Sequence, residues 1–131
     1  MCRGATTECM FDARPDIVVG NVGLPTGDGD YWKPSESQVQ NFEVELANAL
    51  RQAAYDYTFD PPGPLFHYGI QYIGWTRGGE RLIYANGFCG RREREAAEQW
   101  VHVFDGGTCY FGASFNPETG KLYGPGFNGF A

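Results

Sequence analysis

The sequence predicts an α+β fold, with one long helix packed on a curled, four- to five-stranded antiparallel meander sheet. Two observations carry this. The stretch PSESQVQNFEVELANALRQAAYDY has apolar residues recurring at spacings of three and four, the signature of an amphipathic helix. Behind it, residues 65–115 hold aromatic and branched runs separated by glycine turns, as strands joined by hairpins do. At 131 residues the chain fits one domain. It divides into an N-terminal arm over 1–34 and a helix-plus-sheet domain over 35–131.

The arm is rich in Gly, Pro, Asp and Thr, as extended or looped chain is. One apolar run inside it, DIVVG at 16–20, reads as an edge strand bounded by Pro15 and Gly20. The helix follows. Ser35 and Gln38 form the S-x-x-Q pattern of a capping box, and Ser37 with Gln40 offers a second register. Val39, Phe42, Leu46, Leu50, Ala53 and Tyr57, with Ala49, fall on one stripe, while Gln40, Glu43, Gln52 and Asp56 fall elsewhere and are expected to face water. A helix over 36–56 is roughly 30 Å long, and DPPGP at 60–64 ends it. Isolated helices are marginal in water, so this one must lie on something.

The remaining segments supply the sheet. LFHYGIQYIGWT (65–76) and RLIYANGF (81–88) are joined by RGGE, a good hairpin connection. QWVHVF (99–104) and TCYFGASF (108–115) flank DGG as a second hairpin, CGRREREAAEQ between the hairpins reads as a charged loop or one exposed helical turn, and the tail KLYGPGFNGFA offers a last short strand. Strands this close in sequence pair antiparallel.

This element order resembles the cystatin-like architecture, in which an antiparallel sheet grips a helix. Cystatins proper inhibit papain-type proteases through a glutamine–valine–glycine loop and a tryptophan-bearing hairpin. Here the hairpin tips read TRGGE and FDGGT, so the resemblance implies a fold and not that inhibitory activity. WKPSESQV, DGGTCYF and FNGFA together also look like segments of small exported bacterial proteins, a likeness that implies no activity.

Charge removes some classes of partner. Sixteen acids against ten bases give a net charge of −6, and the one basic cluster, GRRERE, is interrupted by glutamates. Binding nucleic acid takes several unopposed cations to displace counterions from phosphates, so none is expected. The longest apolar run falls short of the ~20 residues of a membrane span.

Four cysteines, at positions 2, 9, 89 and 109, form no CxxC pair and no zinc-ribbon spacing. Their even number and wide separation suit disulfides and an oxidising compartment. Met1-Cys2 resembles the start of a mature bacterial lipoprotein behind an initiating methionine, which makes Cys2 a lipidation candidate and the only route to membrane anchoring. The alternative is a cytoplasmic protein with a chance cysteine there. Cys9, Cys89 and Cys109 are the disulfide candidates. In a simple meander Cys89 ends one strand, 99–104 runs back, and Cys109 opens the next, leaving the two on the order of 15 Å apart at ~3.3 Å per residue. A disulfide needs Cα atoms within about 7 Å. Cys9 is therefore expected as partner to one of them, with free buried thiols as the alternative.

Other constellations point to structure before chemistry. His102 and Cys109 adjoin on the second predicted hairpin, but a strand histidine usually packs, so no catalytic residue is assigned. Asp28 and Asp30 form D-x-D in a glycine-rich loop. A calcium loop also needs an acid at its twelfth position, which is Val39, so a solvated turn is expected and no metal or other cofactor. Glu36, Glu43 and Glu45 read as a wet helix face.

The strands are more informative. Phe66, Tyr68, Ile70 and Tyr72 alternate onto one side, with Ile73 and Trp75 on the other; Leu82, Tyr84 and Phe88 oppose Ile83 and Ala85; Trp100 and Phe104 oppose Val101 and Val103. Both sheet faces are thus partly apolar and one helix covers one of them. The second is covered by the arm and tail, or it binds, with Tyr68, Tyr72, Trp75 and Tyr84 as contacts. The leading expectation is a non-enzymatic extracytoplasmic bacterial domain, periplasmic or anchored at the outer membrane, that binds a protein partner or a second copy by a sheet face or loop tips, as inhibitor and immunity-type proteins do. A small-ligand or glycan binder, using the helix–sheet cavity or the aromatic strand face, comes second. A thiol enzyme using Cys109 and His102 comes third.

Overall fold

Ser35 begins the helix in the first of the two registers. Its Oγ accepts the Gln38 N–H at 3.2 Å, and its own N–H donates to Gln38 Oε1 at 2.9 Å, so two donors at the helix start are satisfied reciprocally. The computed structural model describes the backbone of residues 2–3, 8–10, 24–57, 60–89 and 107–128, with side chains from residue 24 onward within those ranges. Helix α1 runs Glu36–Asp56 and buries Val39, Phe42, Leu46 and Leu50. Covering such a side chain contributes about 1.5–3 kcal/mol, so these four seat the helix. The stripe fades toward the C-terminus, where Ala53 is half-buried and Tyr57 is exposed. Tyr57 instead lays its ring edgewise on Phe127, centroids 5.3 Å apart.

Six strands among the described residues form one sheet in chain order: β1 Cys2–Arg3, β2 Glu8–Met10, β3 Tyr68–Arg77, β4 Glu80–Cys89, β5 Tyr110–Phe115 and β6 Leu122–Phe127. The last four are consecutive antiparallel neighbours, which with α1 gives an α+β fold. β3 and β4 pair over their full length, from Tyr68 opposite Cys89 to Arg77 opposite Glu80. Gly78 and Gly79 make the turn with φ of 59° and 82°. Two successive residues at positive φ match the twist of a two-residue hairpin, and only glycine adopts that conformation freely.

Three expectations from the sequence change here. Residues 65–67 form a 3-10 turn after Pro64, not the start of a strand, because proline fixes the entry and His67 donates back to the Pro64 carbonyl. The edge strand before β3 is Glu8–Met10, which runs parallel to it; the predicted strand at 16–20 lies outside the described residues, as do the predicted strand at 99–104 and the loop before it. Third, β4 pairs directly with β5, Phe88 opposite Tyr110 and Ile83 opposite Phe115. Cys89 and Cys109 therefore stand at the same end of two neighbouring strands.

The predicted alternation is kept along β3 and β4, while that of Trp100, Val101, Val103 and Phe104 lies outside the described residues. Tyr68, Ile70, Tyr72, Ile83, Ala85, Phe111, Ala113 and Phe115 join the buried residues of α1 in one core. Phe42 is its hub, stacked on Phe115 at 5.1 Å and edge-on to Tyr72 at 5.9 Å. Glu43, expected in water, instead accepts the Tyr72 hydroxyl at 2.8 Å. It lies at the margin of the buried stripe, within reach of a phenol that needs a partner once it is buried. On the opposite side Ile73, Leu82 and Phe88 are wholly buried, as is Gln71, which accepts from Asn86 Nδ2 at 2.9 Å. Both faces of the sheet are therefore covered within this one chain.

Candidate functional site: an apolar cleft beside the helix

The C-terminal half of α1 and the loop after it enclose a cleft of about 230 Å³, lined by Ala47, Leu50, Arg51, Ala54, Pro62, Gly63, Pro64 and Leu65. Its shape follows from the residue types. Ala47 and Ala54 stand two turns apart on one side of the helix and are too small to fill the space beside Leu50. The prolines of DPPGP cannot continue the helix and hold the chain as a separate wall. Gly63 lets that wall close on His67: a Cβ at Gly63 would lie 2.8 Å from His67 Nδ1.

Hydrogen bonds anchor this wall at a distance. Thr108 Oγ1 donates within 3.0 Å of both the Asp60 carbonyl and Asp60 Oδ2, and the Thr108 N–H reaches Oδ2 at 3.3 Å. The Tyr68 hydroxyl donates to the Thr108 carbonyl at 2.6 Å. Burial raises the Tyr68 pKa above its usual value; a backbone hydrogen bond from Gly63 works against this, and the Asp60 carboxylate adds to the rise. Thr108 adjoins Cys109, and Cys109 is disulfide-bonded to Cys89 with Cα atoms 5.0 Å apart. The far wall of the cleft is therefore fastened to the sheet through a covalent cross-link.

Among the described residues that line the cleft Arg51 is the only charged one, and its Nη2 donates to Asn48 Oδ1 at 3.1 Å. Two large exposed rings belong to residues next in sequence to the lining. Phe66, next to Leu65, is 58 % exposed, and Tyr55, next to Ala54, is 86 % exposed. A wider groove of about 410 Å³ lies beside the N-terminal half of α1, between Asn41, Val44 and Glu45 and the β5–β6 turn at Pro117, Glu118, Thr119 and Gly120, with Phe115 at its base.

At the β3–β4 tip, Glu80 accepts from Asn116 Nδ2 at 3.0 Å and from the Tyr123 hydroxyl at 2.9 Å, which holds its carboxyl below the usual range. The Arg77 guanidinium lies 5.4 Å from the Trp75 ring centroid and 5.5 Å from that of Tyr123. This cluster ties the tip of one hairpin to the next.

The aromatic contacts expected from the sequence do not form one surface. Tyr68 and Tyr72 point toward α1 and are buried. Trp75 and Tyr84 lie on the other face, edge to ring at 6.4 Å, and Trp75 Nε1 donates to Ser114 Oγ at 3.3 Å. Burial also raises the Tyr84 pKa. The expected pairing of Cys9 with Cys89 or Cys109 is replaced by the Cys89–Cys109 bond, because β4 and β5 are immediate neighbours. While that bond stands Cys109 has no thiolate to offer, and His102 lies outside the described residues. Asp28 is a structural residue: its Oδ2 accepts the Gly78 N–H at 2.8 Å. Among the described residues no three His, Cys, Asp or Glu side chains gather as metal ligands.

Sequence reading missed the cleft, because its floor is made of alanines and its wall of residues taken only as a helix stop. The available signal was Tyr55 and Phe66, two large aromatics off the buried positions on either side of DPPGP. No helix among the described residues is long and apolar enough to cross a membrane. No family model matches the chain, and no curated protein and no solved structure matches it at a significant level.

Proposed function

We propose that this is a non-enzymatic domain that works outside the cytoplasm and binds a protein partner, as inhibitor and immunity-type proteins do, on a cystatin-like frame of a helix laid on a curled sheet. The observation that carries this reading is the cleft beside α1. Small-molecule sites usually enclose about 300–1,000 Å³, whereas this one, at about 230 Å³, suits one or two side chains. Its apolar lining and the exposed rings of Phe66 and Tyr55 have the character of an interface core, where aromatic residues are enriched. The Cys89–Cys109 bond is compatible with an oxidising compartment.

The small-ligand or glycan alternative draws less support, since Phe42, Phe115 and Tyr72 fill the space between helix and sheet. The test is a non-reducing pull-down from the native envelope fraction, with three tagged forms compared side by side. Ala54→Trp fills the cleft from an exposed helix position, Phe66→Ser removes the exposed ring next to Leu65, and Val44→Ser alters the other groove. The expected result is a specific protein retained by the wild type and by Val44→Ser, and reduced at least tenfold by each of the other two. Equal capture by all three would remove the cleft from the binding surface.

A further inference from the structure

We propose that Cys2 and Cys9 close a second disulfide, which staples the N-terminal arm into a hairpin and leaves the Cys2 thiol unable to carry a lipid. The argument begins with backbone register. β1 and β2 run antiparallel, with Cys2 directly opposite Cys9 and Arg3 opposite Glu8. Residues facing each other across antiparallel strands have Cα atoms about 4.5–5.5 Å apart, inside the window of about 4.4–6.8 Å that a disulfide spans. The Cys89–Cys109 bond arises in the same way, at the junction of two neighbouring antiparallel strands, with a Cα separation of 5.0 Å.

Strand length is a second, independent argument. β1 has two residues and β2 has three. Even longer two-stranded hairpins are marginal in water, so the pairing of β1 with β2 needs support beyond its ladder. β2 gains some from β3, where Glu8, Cys9 and Met10 pair with Ile70, Gln71 and Tyr72; among the described residues β1 has β2 as its only neighbour in the sheet. A covalent bond at that register restricts the unfolded arm and holds β1 in place. The intervening segment RGATTE is short, so bringing its ends together has a small entropic cost.

The chemistry needs a two-electron acceptor, and the class that supplies it is a dithiol/disulfide oxidoreductase. One cysteine thiolate attacks the oxidoreductase disulfide to give a mixed disulfide, and the second thiolate displaces the oxidoreductase as its dithiol. Two thiols are oxidised, one disulfide of the oxidoreductase is reduced, and the two protons end on its sulfurs. Conditions that oxidise Cys89 and Cys109 oxidise a second facing pair in the same chain. A sulfur in that bond cannot form the thioether of a lipoprotein, so the arm is held by the sheet and not by a membrane.

Peptide mapping of the exported protein tests this. Purification without reductant, denaturation, alkylation with iodoacetamide and trypsin digestion separate the two cysteines, because trypsin cuts after Arg3. The expected result is fragment 1–3 cross-linked to the fragment that begins at Gly4, released by reduction, with the Cys89–Cys109 link in the same digest as the standard for oxidation. In Cys9→Ser, Cys2 should pass from fully protected to fully alkylated. Alkylated Cys2 and Cys9 beside an intact Cys89–Cys109 link would overturn the proposal. So would a diacylglyceryl mass on fragment 1–3, a link from either cysteine to position 89 or 109, or a fully reduced chain.

Discussion

The ring of Phe111 lies over Gly87, its partner on the neighbouring strand, where a side chain on Gly87 would have to stand. Phe88 covers Gly69 on the opposite face in the same way, and the Tyr84 hydroxyl reaches over Gly112. In each case the missing Cβ is what lets an aromatic side chain approach the backbone of the next strand.

Gly87→Ala should therefore destabilise the fold by about 1–3 kcal/mol, the usual cost of overpacking a filled core. Urea denaturation measures it. In a Phe111→Leu background the same substitution should cost clearly less, because the obstructing ring is gone. Additive effects would mean that the ring and the glycine do not interact.

Phe42 should be the most costly single truncation on the helix. Its ring is wholly buried between Phe115 and Tyr72, so Phe42→Ala loses about 3–5 kcal/mol through lost burial and the cavity left behind. A thermal melt that moves only slightly would show that the helix is not seated on the sheet through this residue.

Glu80 gives a pH dependence with a definite sign. Its carboxyl is held below the usual glutamate value, first by the hydrogen bond from Asn116, then by that from Tyr123, with Arg77 and Lys121 adding attraction. A folded-state value below the unfolded one stabilises fully above the unfolded value, and the benefit disappears as pH falls through the folded value. The Glu80 carboxyl carbon should titrate below 4.5 by NMR, and Asn116→Ala should raise its midpoint. An unchanged midpoint would show that Asn116 does not hold the carboxylate in solution.

Removing the Cys89–Cys109 bond should lower stability by about 3 kcal/mol, the loop-closure value for a link of this span, with the cysteines 20 residues apart. Cys89→Ala/Cys109→Ala tests this by denaturation under non-reducing conditions. Because Thr108 carries Asp60, the double variant should also loosen the proline wall of the cleft, read as faster amide exchange at Gly63 and Leu65.

Local patterns in the sequence were legible wherever neighbouring residues decide the outcome. Ser35 and Gln38 mark the helix start because capping is settled within four residues, and Val39, Phe42, Leu46 and Leu50 are buried as their spacing demands. Gly78 and Gly79 fix a hairpin for the same reason. Pairing between distant segments was not legible. The expectation that Cys89 and Cys109 lie far apart assumed a strand between them, and nothing within either segment reveals that β4 pairs with β5. The cleft was hidden on similar grounds, since alanines and prolines mark it only once the helix and its exit loop have been set side by side.

The segment ahead of the helix has a consequence for how copies of this protein meet. Trp32 exchanges two backbone hydrogen bonds with Gly74, at 2.9 and 2.8 Å, the Asp28 N–H donates to the Thr76 carbonyl at 3.0 Å, and β2 occupies Ile70 to Tyr72. The outer margin of β3 is thus spoken for from Ile70 to Thr76. At the far end of the sheet β6 carries Pro125, which has no amide hydrogen to donate. A sheet this rich in aromatic residues would otherwise be prone to add strands from neighbouring molecules. With the outer margin of β3 filled and β6 blunted at Pro125, strand addition is obstructed at both places, and removing residues 24–32 should make the protein aggregate.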